Sequence, residues 1–242
     1  MRVPSLRHGL VFLLLTAHVV CYGGLSFAGA PDPAAAREAM AARLRAKGIR
    51  DERVLAAMRK VPRHEFVEGQ AKALAYQDTE LPIESGQMMP TPYVTALMME
   101  QLRLRPRVKV LQVGTDSGYQ CALLAEITNH VYAVEPRPEV ATAARKRLKK
   151  LKYSGIVGKV GDWWKGWPEH APYDAIVVTG ACDCYPQALL DQLRHGGRLV
   201  VPIGEGPVQT LNCVLKQDEK HARIEAGITI RISSVLTMPE EP

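Results

Sequence analysis

Three groups of residues in the second half of the chain have the types and spacing of a nucleoside-binding site. The turn 114–118, Gly-Thr-Asp-Ser-Gly, follows the apolar segment 110–113 and precedes residues that favour a helix. Glycines at such a turn let the backbone approach a ligand closely, and the amides at the start of a helix face it. Glu135 lies about 20 residues further on, where a carboxylate can accept hydrogen bonds from both hydroxyls of a ribose. Asp162 lies just past the third apolar segment, where a carboxylate can accept from an adenine amine. The arrangement indicates a site for an adenosine-containing cofactor.

The composition of the turn favours a cofactor without phosphates. The turn lacks the complete G-x-G-x-x-G pattern of a phosphate cradle, and the carboxylate of Asp116 within it would repel a pyrophosphate. A positively charged sulfonium cofactor therefore fits better than NAD. Taken singly, Asp116 as a plain turn residue and Glu135 as a solvated strand end are alternatives.

The elements that must position these residues alternate between strands and helices from residue 108 onward. Strand alternating with helix is typical of a parallel, doubly wound sheet, and two final strands without a helix between them indicate an antiparallel hairpin at one edge. Residues 31–105 are predicted to form helices and loops, with Asp51 as an N-cap and a helix that opens at Thr91 or Pro92. Strands are predicted at 108–113, 131–134, 156–160, 175–179, 197–203, 209–216 and 226–233, and helices up to about 128, at 138–151 and at 186–193.

The composition is that of a globular protein with one large domain. The chain has 242 residues, of which 47% are apolar and 23% are charged, and these values exclude a disordered or fibrous protein. Much of the formal net charge of +6 comes from the run 145–152, which we interpret as the solvated face of a helix. A nucleic-acid patch would need basic residues from several elements, so no nucleic-acid partner is expected.

Residues 1–30 have the pattern of a secretory signal peptide. Two arginines precede the apolar run 10–20, and small residues follow it. The run is shorter than the about 20 apolar residues that span a bilayer, and we expect cleavage after Ala28. We therefore expect an exported or periplasmic protein with no stable membrane association after cleavage. Lipidation at Cys21, an uncleaved anchor, or a start codon placed too early, which would leave the protein cytoplasmic, are the alternatives.

Four cysteines follow the leader: Cys121, Cys182, Cys184 and Cys213. An even number in an exported protein allows disulfides, although small, partly buried free thiols are the simpler interpretation. The spacing of Cys182 and Cys184 is too short for a zinc knuckle, so no metal site is expected.

From about residue 40 to about residue 206 the chain resembles the protein-L-isoaspartate (D-aspartate) O-methyltransferases. The stretches that carry the resemblance are 53–58, 61–67, 75–78, 81–83, 86–87, 92–93, 114–115, 117–120, 166–169, 171–176, 192–193 and 196–204. It implies an α/β fold with the Rossmann-like, seven-stranded sheet of S-adenosylmethionine-dependent methyltransferases and an N-terminal helical extension. We expect a signal peptide at 1–28, a helical portion with an active-site loop at 29–105, and the α/β domain at 106–242, the last two forming one compact domain. With S-adenosylmethionine as cofactor, the expected cofactor-binding residues are Gly114, Thr115, Ser117, Gly118, Glu135 and Asp162.

The chain departs from the family in the loop 86–92. The family has Gly-Gln-Thr-Ile-Ser-x-Pro there, and its serine is taken as the active-site group. In this chain Met88 occupies the threonine position and Pro90 the serine position. The candidate residues for the acceptor are Thr91 as the catalytic residue, one position along, and Gln87 and Tyr93 for substrate binding.

Three further departures affect the site. Asp116 stands where the family has glycine, and Trp163 where it usually has glycine. Trp163 either stacks on the adenine, fills the cofactor cleft, or packs with the other tryptophans in the core or as a surface ridge. Residues 230–235 replace an aromatic-valine-proline segment that helps form the peptide cleft in the family.

The resemblance implies an enzyme that methylates the carboxyl of L-isoaspartyl and D-aspartyl residues in damaged proteins, for repair. We expect a monomer whose partners are proteins or peptides with such residues. Transfer from a sulfonium to a carboxylate needs alignment and water exclusion rather than an acid or a strong base, so His64 and His195 are predicted to be structural. The alternatives are a catalytically degenerate, exported member that binds a ligand or protein, and a carboxyl methyltransferase with a different acceptor.

Overall fold

The computed structural model describes residues 32–83, 86–206, 208–219 and 221–233. Two helices begin this part of the chain. Helix α1 spans Pro33–Ala46 and helix α2 spans Glu52–Lys60. Asp51 is the N-cap of α2, as predicted, and its carboxylate accepts a hydrogen bond of 2.9 Å from the Arg53 amide. The predicted signal peptide lies outside the described residues.

Short elements connect these helices to the rest of the N-terminal portion. A 3-10 turn at Arg63–Phe66 and the one-turn helix α3, Ala71–Leu74, follow α2. Strands β1, Leu81–Pro82, and β2, Met88–Met89, form a two-residue antiparallel ladder that closes the loop between them. Helix α4 then spans Pro92–Gln101.

The remaining strands form one seven-stranded sheet in the order β5-β4-β3-β6-β7-β8-β9. Strands β3 to β7 pair in parallel, and β8 and β9 add an antiparallel hairpin at one edge. Sheet and helices together confirm the Rossmann-like α/β fold with an N-terminal helical extension. The strands are β3 Lys109–Val113, β4 His130–Glu135, β5 Ile156–Val160, β6 Tyr173–Val178, β7 Leu193–Ile203, β8 Gln209–Lys216 and β9 Ala222–Ile230; the helices are α5 Tyr119–Ile127, α6 Pro138–Lys150 and α7 Gln187–Asp191.

Several predicted bounds differ from the structure, most clearly those of α7, β7 and β9. The helix predicted at 186–193 ends at Asp191 because Leu193 already pairs with Tyr173 and opens β7. Strand β7 is accordingly longer than the predicted 197–203. Strand β9 ends at Ile230 rather than 233, and it begins four residues before the predicted start at 226.

The core has two layers, one on each face of the sheet. On one face α1, α2, α4 and α5 pack together through residues such as Leu55, Met98 and Leu123. On the other face Trp163 is 3% exposed and packs with Leu111 and other buried apolar residues. Of the three alternatives for Trp163, the structure therefore shows core packing. The basic run 145–152 lies on α6 and its end, where Val140, Ala144 and Leu148 are buried and the charged residues are mostly exposed, which confirms the interpretation as a solvated helix face.

Cys121, Cys182, Cys184 and Cys213 are free thiols, buried in all cases except Cys184. Within the described residues, no group of three or more His, Cys, Asp or Glu side chains could hold a metal ion. The same part of the chain contains no helix of the length and apolar character needed to cross a membrane.

Candidate active site

The glycine turn after β3 depends on backbone conformations that few residues adopt. Gly114 has φ 82° and Gly118, the N-cap of α5, has φ 90°. A Cβ on Gly114 would lie well inside 3.0 Å of Thr179 Oγ1, a separation that real Cβ atoms essentially never show. Asp116 has φ 48°, in the left-handed region that aspartate and asparagine tolerate better than most residues. The turn is therefore closely held against the end of β6.

Glu135 is the central buried carboxylate of this edge. It ends β4, is 2% exposed, and its Oε2 accepts hydrogen bonds from the Thr115 amide at 2.7 Å and the Thr115 hydroxyl at 2.9 Å. Its Oε1 accepts from the Arg137 amide at 3.3 Å. The Asp116 amide lies 3.4 Å from Oε2 as a further donor. Together these donors fix the carboxylate beside the glycine turn and leave its remaining acceptor capacity on Oε1, since an ionised carboxylate offers about four acceptor sites.

Asp162 lies at the neighbouring strand end. The Gly161 amide donates to the Glu135 carbonyl at 3.0 Å, so the ends of β4 and β5 are adjacent. Asp162 is partly exposed; its Oδ1 accepts from the Trp164 amide at 3.0 Å, and Lys165 Nζ lies 3.7 Å from Oδ2. The structure thus brings Gly114, Glu135 and Asp162 to the carboxyl ends of three neighbouring parallel strands, where ligands bind in such sheets.

The donors and acceptors at this edge suit a nucleoside without phosphates. Acidic side chains surround the turn, which would oppose a phosphate but would attract a cation and accept from hydroxyl and amine groups. A cavity of about 320 Å³ borders Thr115 and Glu135 and continues between α6 and β5 past Ala144 and Gly158. The residues present therefore fit S-adenosylmethionine.

Asp116 is a second buried carboxyl in the turn, and it is 7% exposed. Burial, followed by the nearby charge of Glu135, raises the pKa of Asp116 to about 7, although Thr179 and Arg137 oppose the shift. At neutral pH the group is consequently present in both protonation states.

The altered loop packs directly on this turn. Pairing of Leu81 with Met89 holds the loop, and the Ser117 hydroxyl lies 3.3 Å from the Met89 sulfur. Arg63 is fully buried and donates a 2.7 Å hydrogen bond to the Pro90 carbonyl. Burial lowers the pKa of Arg63 to about 10, so the side chain keeps its charge at neutral pH.

A family model described as Protein-L-isoaspartate(D-aspartate) O-methyltransferase matches residues 35–235. The chain belongs to this family. It is 49% identical over 184 residues to the protein-L-isoaspartate O-methyltransferase of Methanoculleus marisnigri, which covers 76% of this chain and 84% of that relative. It is 51% identical over 180 residues to the one from Synechococcus sp. (strain JA-2-3B'a(2-13)), with 74% of each chain covered.

Solved structures agree with the family assignment. A structure named protein-L-isoaspartate O-methyltransferase superposes with a TM-score of 0.72 at 26% identity, covering 84% of this chain and 66% of that one. A Plasmodium falciparum structure, described with S-adenosyl-L-homocysteine bound, has a TM-score of 0.66 at 23% identity and covers 83% of this chain and 95% of that one, which supports the fold. The chain is an S-adenosylmethionine-dependent O-methyltransferase of the isoaspartate family, as the sequence resemblance predicted.

The three residues predicted to bind or position the acceptor, Thr91, Gln87 and Tyr93, lie in or beside the loop 86–92. Thr91 is the N-cap of α4, and its hydroxyl accepts from the Val94 amide at 3.2 Å. The Tyr93 amide donates to Asp78 at 3.0 Å, and the Lys47 ammonium lies 5.0 Å from the centre of the Tyr93 ring. The Gln87 side-chain oxygen is buried without a hydrogen-bond donor among the described residues. Their roles toward a substrate stay predictions.

Replacing Thr91 by alanine tests whether its hydroxyl caps the helix or serves the acceptor. Loss of an N-cap is expected to lower the free energy of unfolding by about 1 kcal/mol, measured by urea denaturation. Thr91→Ser keeps the cap and is the matched control. Unchanged stability of Thr91→Ala together with loss of methyl transfer would contradict the capping role and assign the hydroxyl to the acceptor.

Sequence reasoning missed three residues that organise the site. The Thr179 hydroxyl, at the end of β6, lies 3.0 Å from the Val113 carbonyl and 2.9 Å from the Gly114 carbonyl, and so holds the glycine turn. Asp78 binds Lys47 and the Tyr93 amide; burial opposes its ionisation, but these hydrogen bonds outweigh it and lower its pKa. Arg63 holds the loop. The position of Thr179, a hydroxyl residue at the end of the fourth predicted strand, could have indicated its role from the sequence. The roles of Asp78 and Arg63 depend on contacts between residues that are distant in sequence.

Proposed function

We propose that this enzyme methylates the carboxyl of L-isoaspartyl and D-aspartyl residues in damaged proteins, as a repair reaction. The observation that supports this proposal most is the placement of Glu135. Its buried carboxylate is held by Thr115 at the cofactor edge. The loop 86–92, in which Pro90 occupies the position of the family's active-site serine, packs on the same turn through Met89. The family's relatives carry the same activity in their names.

Each residue of the cofactor edge has a distinct proposed role. Glu135 accepts from the ribose hydroxyls, and Asp162 accepts from the adenine amine. Gly114 allows the backbone to approach the cofactor because it lacks a Cβ, while Thr115, Ser117 and Gly118 shape the turn and the start of α5. When bound, S-adenosylmethionine supplies an activated methyl group on a positively charged sulfur.

The protein's contribution to the reaction is alignment and exclusion of water. The acceptor is an ionised carboxylate at neutral pH and needs no base, and no proton is released in the transfer. The loop is held in place by the bond from buried Arg63 to the Pro90 carbonyl and by the β1–β2 ladder. A fixed loop positions the acceptor and keeps water from the reacting atoms.

Gln87 and Tyr93 are proposed to bind the acceptor peptide. The buried, unpaired side-chain oxygen of Gln87 can accept from a backbone amide of the peptide. The Tyr93 ring is partly exposed and lies beside the Lys47 ammonium. Together they offer an acceptor, an aromatic surface and a positive charge at the entrance of the loop.

Methyl transfer by the full chain tests the proposal. Labelled S-adenosylmethionine is offered with an isoaspartyl peptide and with the same peptide carrying a normal aspartyl residue. Label on the isoaspartyl peptide alone is the expected result. Label on neither peptide, with S-adenosylhomocysteine binding intact in calorimetry, would overturn the proposed acceptor and indicate a different one.

We further propose that the enzyme is exported and acts as a monomer. The support is the charged, apolar and small-residue pattern of residues 1–30. Fractionation of the source cell followed by N-terminal sequencing is expected to give a chain starting at Gly29 outside the cytoplasm. A cytoplasmic chain that starts at Met1 would contradict this, and sedimentation analysis of the same sample would show the oligomeric state.

A further inference from the structure

A small cavity lies between the altered loop and the glycine turn. Its volume is about 10 Å³, close to the space of a single water molecule, and both Pro90 and Asp116 line it. The two residues therefore lie near each other, although they are far apart in sequence. Most of the remaining wall is made of hydroxyl and amide side chains: Thr95, Gln112, Thr115, Ser117, Gln120 and Thr179.

Two departures from the family meet at this cavity. Pro90 removes the hydroxyl of the family's serine, and Asp116 adds a carboxyl where the family has glycine. The backbone at Asp116 keeps a positive φ of 48°, so the exchange of glycine for aspartate leaves the left-handed turn in place. One polar group is lost and another gained in the lining of the same space.

The surroundings of Asp116 keep a fraction of it protonated near neutral pH. It is 7% exposed; burial and then the charge of Glu135 raise its pKa to about 7. Arg137 and a hydrogen bond with Thr179 act in the opposite direction. From α5, Tyr119 and Cys121 face the region as neutral groups, because burial raises the pKa of both.

One feature of the wall suits a protonated carboxyl. The Gln112 side-chain oxygen is buried and has no hydrogen-bond donor among the described residues. A protonated carboxyl nearby could donate its O–H to this oxygen or to an oxygen of a bound ligand. Arg63 does not line the cavity; its Nη2 donates to the Pro90 carbonyl and so supports the loop.

We propose that Asp116, in its protonated form, positions the acceptor carboxylate in place of the serine that Pro90 replaces. The inference rests on the proposed function, because it concerns the acceptor of that reaction. A carboxylic acid donates a short, charge-assisted hydrogen bond to a carboxylate, whereas an ionised Asp116 repels it. Asp116 is thus a positioning residue that works only with its proton.

The reaction balances without any change in Asp116. One acceptor oxygen forms a bond to the methyl carbon as the carbon–sulfur bond breaks, and the electron pair of that bond stays on sulfur. The proton of Asp116 remains on its own oxygen throughout and fixes the second acceptor oxygen. No base, oxidant or further reactant is required.

Binding of an isoaspartyl peptide in the presence of S-adenosylhomocysteine tests the inference without turnover. If only protonated Asp116 binds the peptide, the Kd measured by calorimetry rises about tenfold between about pH 6 and about pH 8. Asp116→Asn keeps a donor and tolerates the same positive φ, but does not titrate, and its Kd is expected to be independent of pH. The double variant Pro90→Ser with Asp116→Gly restores the family's arrangement and is also expected to bind independently of pH.

A second measurement follows the carboxyl directly. Carbon NMR of the cofactor-free enzyme, labelled at aspartate carboxyls, is expected to show one signal that titrates near pH 7 and is absent from Asp116→Asn. A tenfold pH dependence that persists in Asp116→Asn would overturn the inference while leaving the proposed function intact. A wild-type enzyme that labels no isoaspartyl peptide would overturn the proposed function, and the inference with it.

Discussion

Replacing Glu135 by glutamine is expected to weaken binding of S-adenosylhomocysteine at least about a hundredfold. Charge-assisted hydrogen bonds contribute about 1.5–3 kcal/mol each, and two ribose hydroxyls would lose them, while about 1.4 kcal/mol corresponds to tenfold in Kd. The amide would also direct an N–H group toward the Thr115 donors, which now share Oε2 of the carboxylate. Titration calorimetry with the full chain measures the effect.

Glu139→Gln is the matched control for this substitution. Glu139 lies in the first turn of α6, close to Glu135 in sequence, but is exposed. The same change of charge there is expected to leave the Kd within about twofold of the wild-type value, since exposed charges contribute little. Equal effects of the two substitutions would mean that net charge, rather than a contact of Glu135, governs cofactor binding.

Gly114→Ala is expected to lower the free energy of unfolding by about 2–4 kcal/mol and to abolish cofactor binding. The left-handed conformation costs an L-residue about 1–2 kcal/mol, and the added Cβ meets the Thr179 hydroxyl. That hydroxyl cannot move away freely, because its oxygen lies within hydrogen-bond distance of the carbonyls of both Val113 and Gly114 and its single hydrogen is shared between them. Urea denaturation followed by circular dichroism measures the loss of stability.

Gly48→Ala separates the two causes of this effect. Gly48 also has a positive φ, 107°, but a Cβ there would meet no atom within 4 Å. The decrease in the free energy of unfolding of Gly48→Ala is expected to reflect the backbone conformation alone. It should therefore be smaller than the decrease in Gly114→Ala. If both variants lose the same stability, the contact with Thr179 does not constrain the turn, and close packing cannot be the reason for glycine at 114.

The cofactor edge follows from the sequence because it depends on few rules. The sequence predicts β5 and β8 with the bounds that the structure shows, and parallel pairing of β3, β4 and β5 brings their ends together. Once Gly114, Glu135 and Asp162 are placed at strand ends, their meeting is a consequence of topology. Only the side-chain contacts by which Thr115 holds Glu135 and Thr179 holds the glycine turn had to come from the structure.

The acceptor side depends on features that leave no periodic pattern. A two-residue ladder between β1 and β2 is too short to show alternation, and the first residues of β7 are exposed and polar around His195. Strand β9 is a mostly exposed edge strand, so its burial does not alternate and its bounds shift. The cavity shared by Pro90 and Asp116 joins distant parts of the chain, and only tertiary structure brings them together.

The segment after Asp162 gives the enzyme a spectroscopic reporter of its own cofactor edge. All three tryptophans of the chain, Trp163, Trp164 and Trp167, lie in this segment. The Trp164 amide binds Asp162, and the ring of Trp164 meets that of Trp163 edge to face at 5.2 Å. The intrinsic fluorescence of the whole protein therefore originates beside the carboxylate assigned to adenine. Binding of the cofactor beside Asp162 can therefore be followed through tryptophan emission without a label. Acceptor peptides that contain no tryptophan add no signal of their own.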